Sequence, residues 1–257
     1  MRDFTHKIYR EFLTTLKKNS FQTITIEEFH KSKYDKSKPF ILIRHDVDRR
    51  PNSSLEMAKI ESSMGVKATY YFRTIPKTLK PKIIKEIVDL GHEIGYHYES
   101  LAETNGDYKR AIEDFEENLQ KLNEIYPIKT IAMHGRPTSK WDSRLLWDRY
   151  EYKKYGIDIE PYFDIDFQKI LYITDASRKW DNESTNLRDR VDSSFDFVFR
   201  DTRDIIDLLN EKNSPNYLMI NIHPEHWAEG VVEWYRVFFI REVKNFIKKL
   251  IIRDKNQ

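Results

Sequence analysis

The stretch Phe40-Ile41-Leu42-Ile43-Arg44-His45-Asp46-Val47-Asp48 runs an apolar segment directly into two carboxylates. A strand buried on both faces of a parallel sheet reads as a continuous apolar run, and the carboxyl end of such a strand is where these sheets place their chemistry. Side chains alternate faces with period two, so a strand that persists to its end points Asp46 and Asp48 the same way and His45 the other. Two like charges held that close are costly unless a cation or a proton sits between them. One of the pair is then a candidate metal ligand and the other a candidate base. Alone, the two aspartates fit turn residues capping the next segment equally well, and the rest of the chain has to decide.

Outward from this strand the pattern is regular. On the N-terminal side Phe4, Ile8, Phe12 and Leu16 recur every four residues and predict an amphipathic helix over about 1–20. On the C-terminal side Ser53 and Glu56 have capping-box spacing, opening a helix that stops near Gly65. A strand at 68–72 follows. Leu79, Ile83, Ile84, Ile87 and Leu90 form a helical stripe closed by Gly91, and a strand runs from Ile94 to Tyr98. Ala111, Ile112, Phe115, Leu119 and Leu122 continue with a helix, and 130–133 with a strand. Between about 137 and 200 periodicity is poor, with short strands predicted at 169–174 and 195–199. A helix at 202–209, a strand at 217–222 and a long helix over about 226–252 complete the chain. In that last helix Lys244, Lys248 and Lys249 read as a solvated face. Repeated βα units call for a parallel sheet covered by helices, and so many of them favour a barrel or a doubly wound sheet in one α/β domain spanning 1–257.

Composition excludes several classes. The formal net charge is +2, so the overall balance indicates neither a nucleic-acid nor an anionic-membrane partner. There is no cysteine, which removes disulfides, thiolate metal sites and a Cys nucleophile. The start lacks an apolar leader and no stretch reaches the roughly 18 apolar residues of a membrane span, so the expectation is a cytoplasmic protein. The 15 Phe, 15 Tyr and 5 Trp residues are ample for one large core.

Polar residues gather where the predicted strands end: Asp46 and Asp48, then His97 and Glu99, then His134 and Arg136, and last His223, Glu225 and His226. Residues far apart in sequence should converge at that end of the sheet. His6, His30, His45 and His92 read as structural, the last because it begins a strand at the wrong end for chemistry.

Ile43-Arg44-His45-Asp46-Val47-Asp48, Gly91-His92-Glu93-Ile94-Gly95-Tyr96-His97, Arg136-Pro137 and Ile222-His223 resemble, in order, the motifs of the polysaccharide deacetylases (NodB homology, carbohydrate esterase family 4). The resemblance spans about residues 40 to 225. It implies a distorted (β/α) barrel of about seven parallel strands that removes acyl groups from sugars with one divalent metal, zinc foremost, with cobalt and nickel as alternatives. By position Asp46 resembles the general base, Asp48 and His97 metal ligands, Arg136 the arginine that orients the base, and His223 the general acid. Trp180 loosely resembles the family's tryptophan motif. The chain departs from the pattern at Leu101, where the family has a second metal histidine. His134, ranked ahead of Glu99, is the candidate replacement.

The chain looks most like a branch of the family associated with surface-polysaccharide and O-antigen biosynthesis. The expected partner is then a small acylated sugar, a nucleotide sugar or a lipid-linked saccharide, with Tyr96, Tyr98 and Trp180 as candidates to stack on sugar faces. Two alternatives stand beside this reading. One is a repurposed, non-catalytic barrel that binds a glycan precursor. The other is a non-haem iron oxygenase, which the βα order disfavours.

Overall fold

Every strand pairing in the sheet is parallel, and helices or longer crossovers join the strands. The computed structural model describes residues 2–136, 139–180 and 189–255. In chain order the elements are α1 (His6–Lys18), β1 (Gln22–Ile24), α2 (Ile26–His30), β2 (Phe40–Val47), α3 (Pro51–Ser63), β3 (Thr69–Phe72), α4 (Pro81–Asp89) and β4 (Glu93–Tyr98). They continue with α5 (Ser100–Glu103), α6 (Tyr108–Asn123), β5 (Ile131–Met133), α7 (Pro161–Asp164), β6 (Leu171–Thr174), α8 (Thr202–Asn210), β7 (Tyr217–Ile222) and α9 (Val231–Lys255). The strand order is β5-β4-β3-β2-β7-β6, and β1 pairs with the first residues of β2.

The period-two alternation of β2 sorts the core into two layers. Phe40 and Leu42 point to an inner cluster with Tyr71, Ala132, Ile159, Phe167 and Met219. Ile41, Ile43 and Val47 point outward, to a larger cluster beneath the helices that includes Phe12, Met57, Tyr70 and Ile220. The same parity carries Arg44 and Asp46 inward and His45 outward. Gly95 of β4 faces inward where a Cβ would lie 2.3 Å from the Tyr71 ring, so only glycine leaves room for that ring inside the barrel.

The sheet curls. Neighbouring strands lie about 4.8 Å apart, so on a flat sheet the tips of β2 and β5 would be separated by roughly 14 Å. Instead, Nε2 of His134 beyond β5 lies 3.4 Å from Oδ1 of Asp48 beyond β2. Among the described residues β5 and β6 do not pair, so the half-barrel is not closed by strand hydrogen bonds; one bridge, Thr130 to Ile159, ties β5 to the segment before α7.

Local expectations need three corrections. Ser53 and Glu56 do not cap a helix: α3 starts at Pro51, in the first turn where a missing N–H costs nothing, and Ser53 lies inside the helix. The capping box of this chain is Thr25 with Glu28, at the start of α2. No strand forms at 195–199, and β1 adds a strand that the sequence does not announce, because three residues carry no readable period.

Candidate active site

Asp48, His97 and His134 each present one ligand atom within 4.8 Å of the others. The histidine tautomers explain how. His97 Nδ1 donates to the Ala132 carbonyl at 2.9 Å, and His134 Nδ1 faces Glu99 Oε2 at 2.9 Å. With those N–H groups used, both rings turn an Nε2 lone pair toward Asp48 Oδ1, at 3.5 and 3.4 Å. That Oδ1 is buried and takes no hydrogen bond. Two imidazole lone pairs converging on an orphaned carboxylate oxygen make a three-donor set that fits a divalent cation. A proton is the alternative occupant: burial pulls His134 down, but Asp48 and then Glu99 outweigh it and raise its pKa to about 9. Glu99 is itself pulled to about 2, where His134 and Arg73 overcome the opposing effect of burial.

Asp46 is buried on the inner face of the barrel, about 4% exposed. Arg44, two residues earlier on the same strand face, grips it with Nε to Oδ1 at 2.7 Å and Nη2 to Oδ2 at 2.9 Å. Asn221 of β7 donates to Oδ2 at 3.0 Å, and His97 Nε2 lies 3.5 Å from the same oxygen. Burial pushes the Asp46 carboxyl up, but Arg44 foremost, with His97 and His223, holds it below its ordinary value. The guanidinium lies over the rings of Tyr71 and Tyr162 at 5.3 and 5.0 Å. Arg44 is the residue that sequence reasoning missed, although its parity with Asp46 was a signal.

At the neighbouring strand end His223 donates from Nδ1 to Asp175 Oδ1 at 2.7 Å, and its backbone N–H donates to the same atom at 2.9 Å. Its Nε2 is thereby the free end of the ring. Burial lowers the His223 pKa, but Asp175 more than compensates, with Asp48 and Asp46 adding to it, and raises it to about 10. Asp175, just past β6, also accepts from Trp227 Nε1 at 3.0 Å. Asp175, His223 and His226 form a second cluster with metal-ligand atom types. It does not suit a cation: His223 Nδ1 carries its proton toward Asp175, and the always-charged Arg241 abuts His226 Nε2.

The remaining candidates fall elsewhere. Arg136 pairs with Glu103 at 2.6 Å and is more than a third exposed; among the described residues Arg44, not Arg136, holds Asp46. Pro137, its partner in the proposed motif, lies outside the described residues. Tyr96 and Tyr98 sit on the outward parity of β4 and pack on Phe115, so neither reaches a sugar. Trp180 is buried, stacked on Phe4 at 5.6 Å with Nε1 donating to Thr202, and is also a core residue. Leu101 is fully buried in α5, and Glu99 lies behind His134, between it and Arg73.

The sequence matches no family model and no curated protein. Among solved structures, 16 chains are similar to it. A Streptococcus mutans CE4 esterase is 13% identical, with 88% of each chain covered and a TM-score of 0.48. A family 4 carbohydrate esterase from Bacillus anthracis is 12% identical over 94% of this chain and 87% of that one, with a TM-score of 0.44. The peptidoglycan deacetylase PdaC from Bacillus subtilis is 14% identical over 83% and 98%, with a TM-score of 0.42. Likenesses at this level assign no activity and no residue role.

Proposed function

We propose that the protein is a metal-dependent hydrolase that removes an acyl group, N-acetyl being the first candidate, from a sugar or sugar precursor. One observation supports this most. Asp46 is held ionised and His223 is held protonated at neutral pH, at the same sheet end as three converging metal-ligand atoms. Opposed protonation states on neighbouring groups mark the base and the acid.

A carboxylate kept below its ordinary value is a weak base, and a divalent metal held by Asp48, His97 and His134 would supply, when bound, an acidified water and a polarised acyl carbonyl. Two histidines and a carboxylate are a donor set that suits zinc. Asp46, fixed by Arg44, accepts the proton of the attacking water. His223, with Nδ1 committed to Asp175, donates from Nε2 to the departing amine or alkoxide. Asp175 keeps that ring oriented and balances the imidazolium charge.

Incubating zinc-loaded protein with N-acylated nucleotide sugars, short lipid-linked saccharides, chitin and peptidoglycan, and measuring released acyl acid, tests the proposal. Release from the precursors is expected, with negligible release from the polymers. Release from polymer alone refutes the precursor assignment. No release from any of them replaces hydrolysis with glycan binding.

A further inference from the structure

The dyad of His223 and Asp175 rests against a second imidazole and the C-terminal helix. His226 follows His223 by three residues in the short 3-10 turn Pro224–His226, and the two rings stack with centroids 5.1 Å apart and planes at 22°. Nδ1 of His226 faces Asp175 Oδ2 at 3.4 Å. Its other nitrogen is hydrogen-bonded by Nη2 of Arg241, which also meets Glu225 Oε1 at 3.3 Å. A guanidinium only donates, so Nε2 must accept and the ring hydrogen must sit on Nδ1, turned to the carboxylate. Four residues further along α9, buried Asn245 donates to the Ser177 carbonyl at 3.1 Å. Ser177 and Arg178 both have positive φ, 60° and 61°, in the turn that leads out of Asp175. Non-glycine residues adopt that conformation only where their surroundings enforce it. Arg178 Nε then donates to the His226 carbonyl at 3.2 Å. One face of α9 thus clamps both loops that carry the dyad.

We infer that His226 and Arg241 are positioning residues for His223: Arg241 fixes the His226 tautomer, and His226 in turn braces Asp175 and the stacked His223 ring. This deepens the deacylation reading and rests on it for the role of His223. The arrangement also keeps the two imidazoles from competing for one carboxylate. Burial, and then Arg241, lower the His226 pKa to about 3, so His226 stays neutral while His223 holds its proton. The other charged groups around the pair are Asp46 from β2, Asp48 and Arg49 just beyond it, and Glu225 in the turn itself.

The test compares Arg241→Met, Arg241→Lys and His226→Phe with the wild type, all zinc-loaded, by imidazole 15N NMR and by steady-state kinetics. In Arg241→Met the His226 signals should leave the Nδ1–H pattern and the His223 resonance should shift. kcat should fall about 10–100-fold, the usual cost of losing an outer partner, at unchanged KM and zinc content. Arg241→Lys keeps a donor and should recover most of the loss. His226→Phe keeps the stacking without the N–H, should slow kcat to a similar degree, and carries the test if Arg241→Met does not fold. Unchanged tautomer and kcat in the folded variants overturn the inference, as does a loss in Arg241→Lys equal to that in Arg241→Met. The NMR measurement needs no substrate, so a wild type that hydrolyses nothing sinks the deacylation reading while the tautomer shift still decides the positioning.

Discussion

At the scale of single residues, His134 and Arg44 separate this site from the family pattern that the sequence resembles. His134→Ala should abolish stoichiometric zinc, as should Asp48→Ala and His97→Ala, when metal content is measured on folded protein. Glu99→Ala should weaken zinc binding about 10–100-fold without removing it, because Glu99 only orients His134. Full zinc loss in Glu99→Ala with retention in His134→Ala would reverse that ordering. Arg44→Met takes away the strongest partner of buried Asp46 and should cost roughly 3–5 kcal/mol in urea unfolding, whereas Arg136→Met should be within about 1 kcal/mol, the value of an exposed pair. Strand parity makes Asp46, Asp48 and His97 legible in the sequence, and convergence at strand ends adds His134 and His223. Asp175 is not legible as a partner, because nothing local marks a carboxylate that meets its histidine 48 residues later. The aromatic candidates fail for the same reason that the aspartates succeed: parity turns Tyr96 and Tyr98 away from the face that holds His97.

At the scale of elements, the outward face of β2 carries its own polar cluster. Glu61 of α3 is fully buried, accepting from Tyr9 and from Tyr70 at 2.6 Å, with His45 Nε2 at 2.6 Å and His92 Nδ1 at 3.6 Å. It pins α1 and α3 to β2 and β3 and engages His45, while His92 accepts from the Ala68 N–H at 3.2 Å and donates from Nε2 to the Ala58 carbonyl at 3.1 Å. Burial raises the Glu61 pKa, but His45 foremost, with His92 and Tyr70, brings it below the ordinary 4.5. A depressed carboxyl contributes stability that is present above its unfolded value and lost as pH falls through the folded one. Glu61→Ala should therefore cost about 3–5 kcal/mol at pH 7 and less at an acid pH below the ordinary carboxyl value, when unfolding is followed at both pH values. Equal cost at both would remove the charge from the explanation. The described part of the segment between about 137 and 200 resists reading because its order is tertiary. Tyr162 at 2.6 Å, Thr174 at 2.5 Å, Asn221 at 3.2 Å and Tyr172 all donate to Asp189, so one carboxylate gathers α7, β6 and β7 with no periodic signal.

At the scale of the whole molecule, the proposed metal would join the tips of β2, β4 and β5 across the curl of the sheet. Zinc at about 100 times its Kd should stabilise the fold by about 2.7 kcal/mol, visible as a higher Tm that a chelator reverses. With His134 titrating at about 9 in the absence of metal, zinc must displace its proton, so affinity should rise about tenfold per pH unit below 9 and level off above it. A flat profile in calorimetric titrations at pH 6, 7 and 8 would refute that competition.

The proposed base and its arginine share one strand at a spacing of two, while the proposed acid, its carboxylate partner and the two candidate histidine ligands come from separate strand ends. No loop movement can part Arg44 from Asp46. Any opening or closing of the barrel mouth would therefore register first in His134 and His223, and the proposed base would keep its arginine throughout.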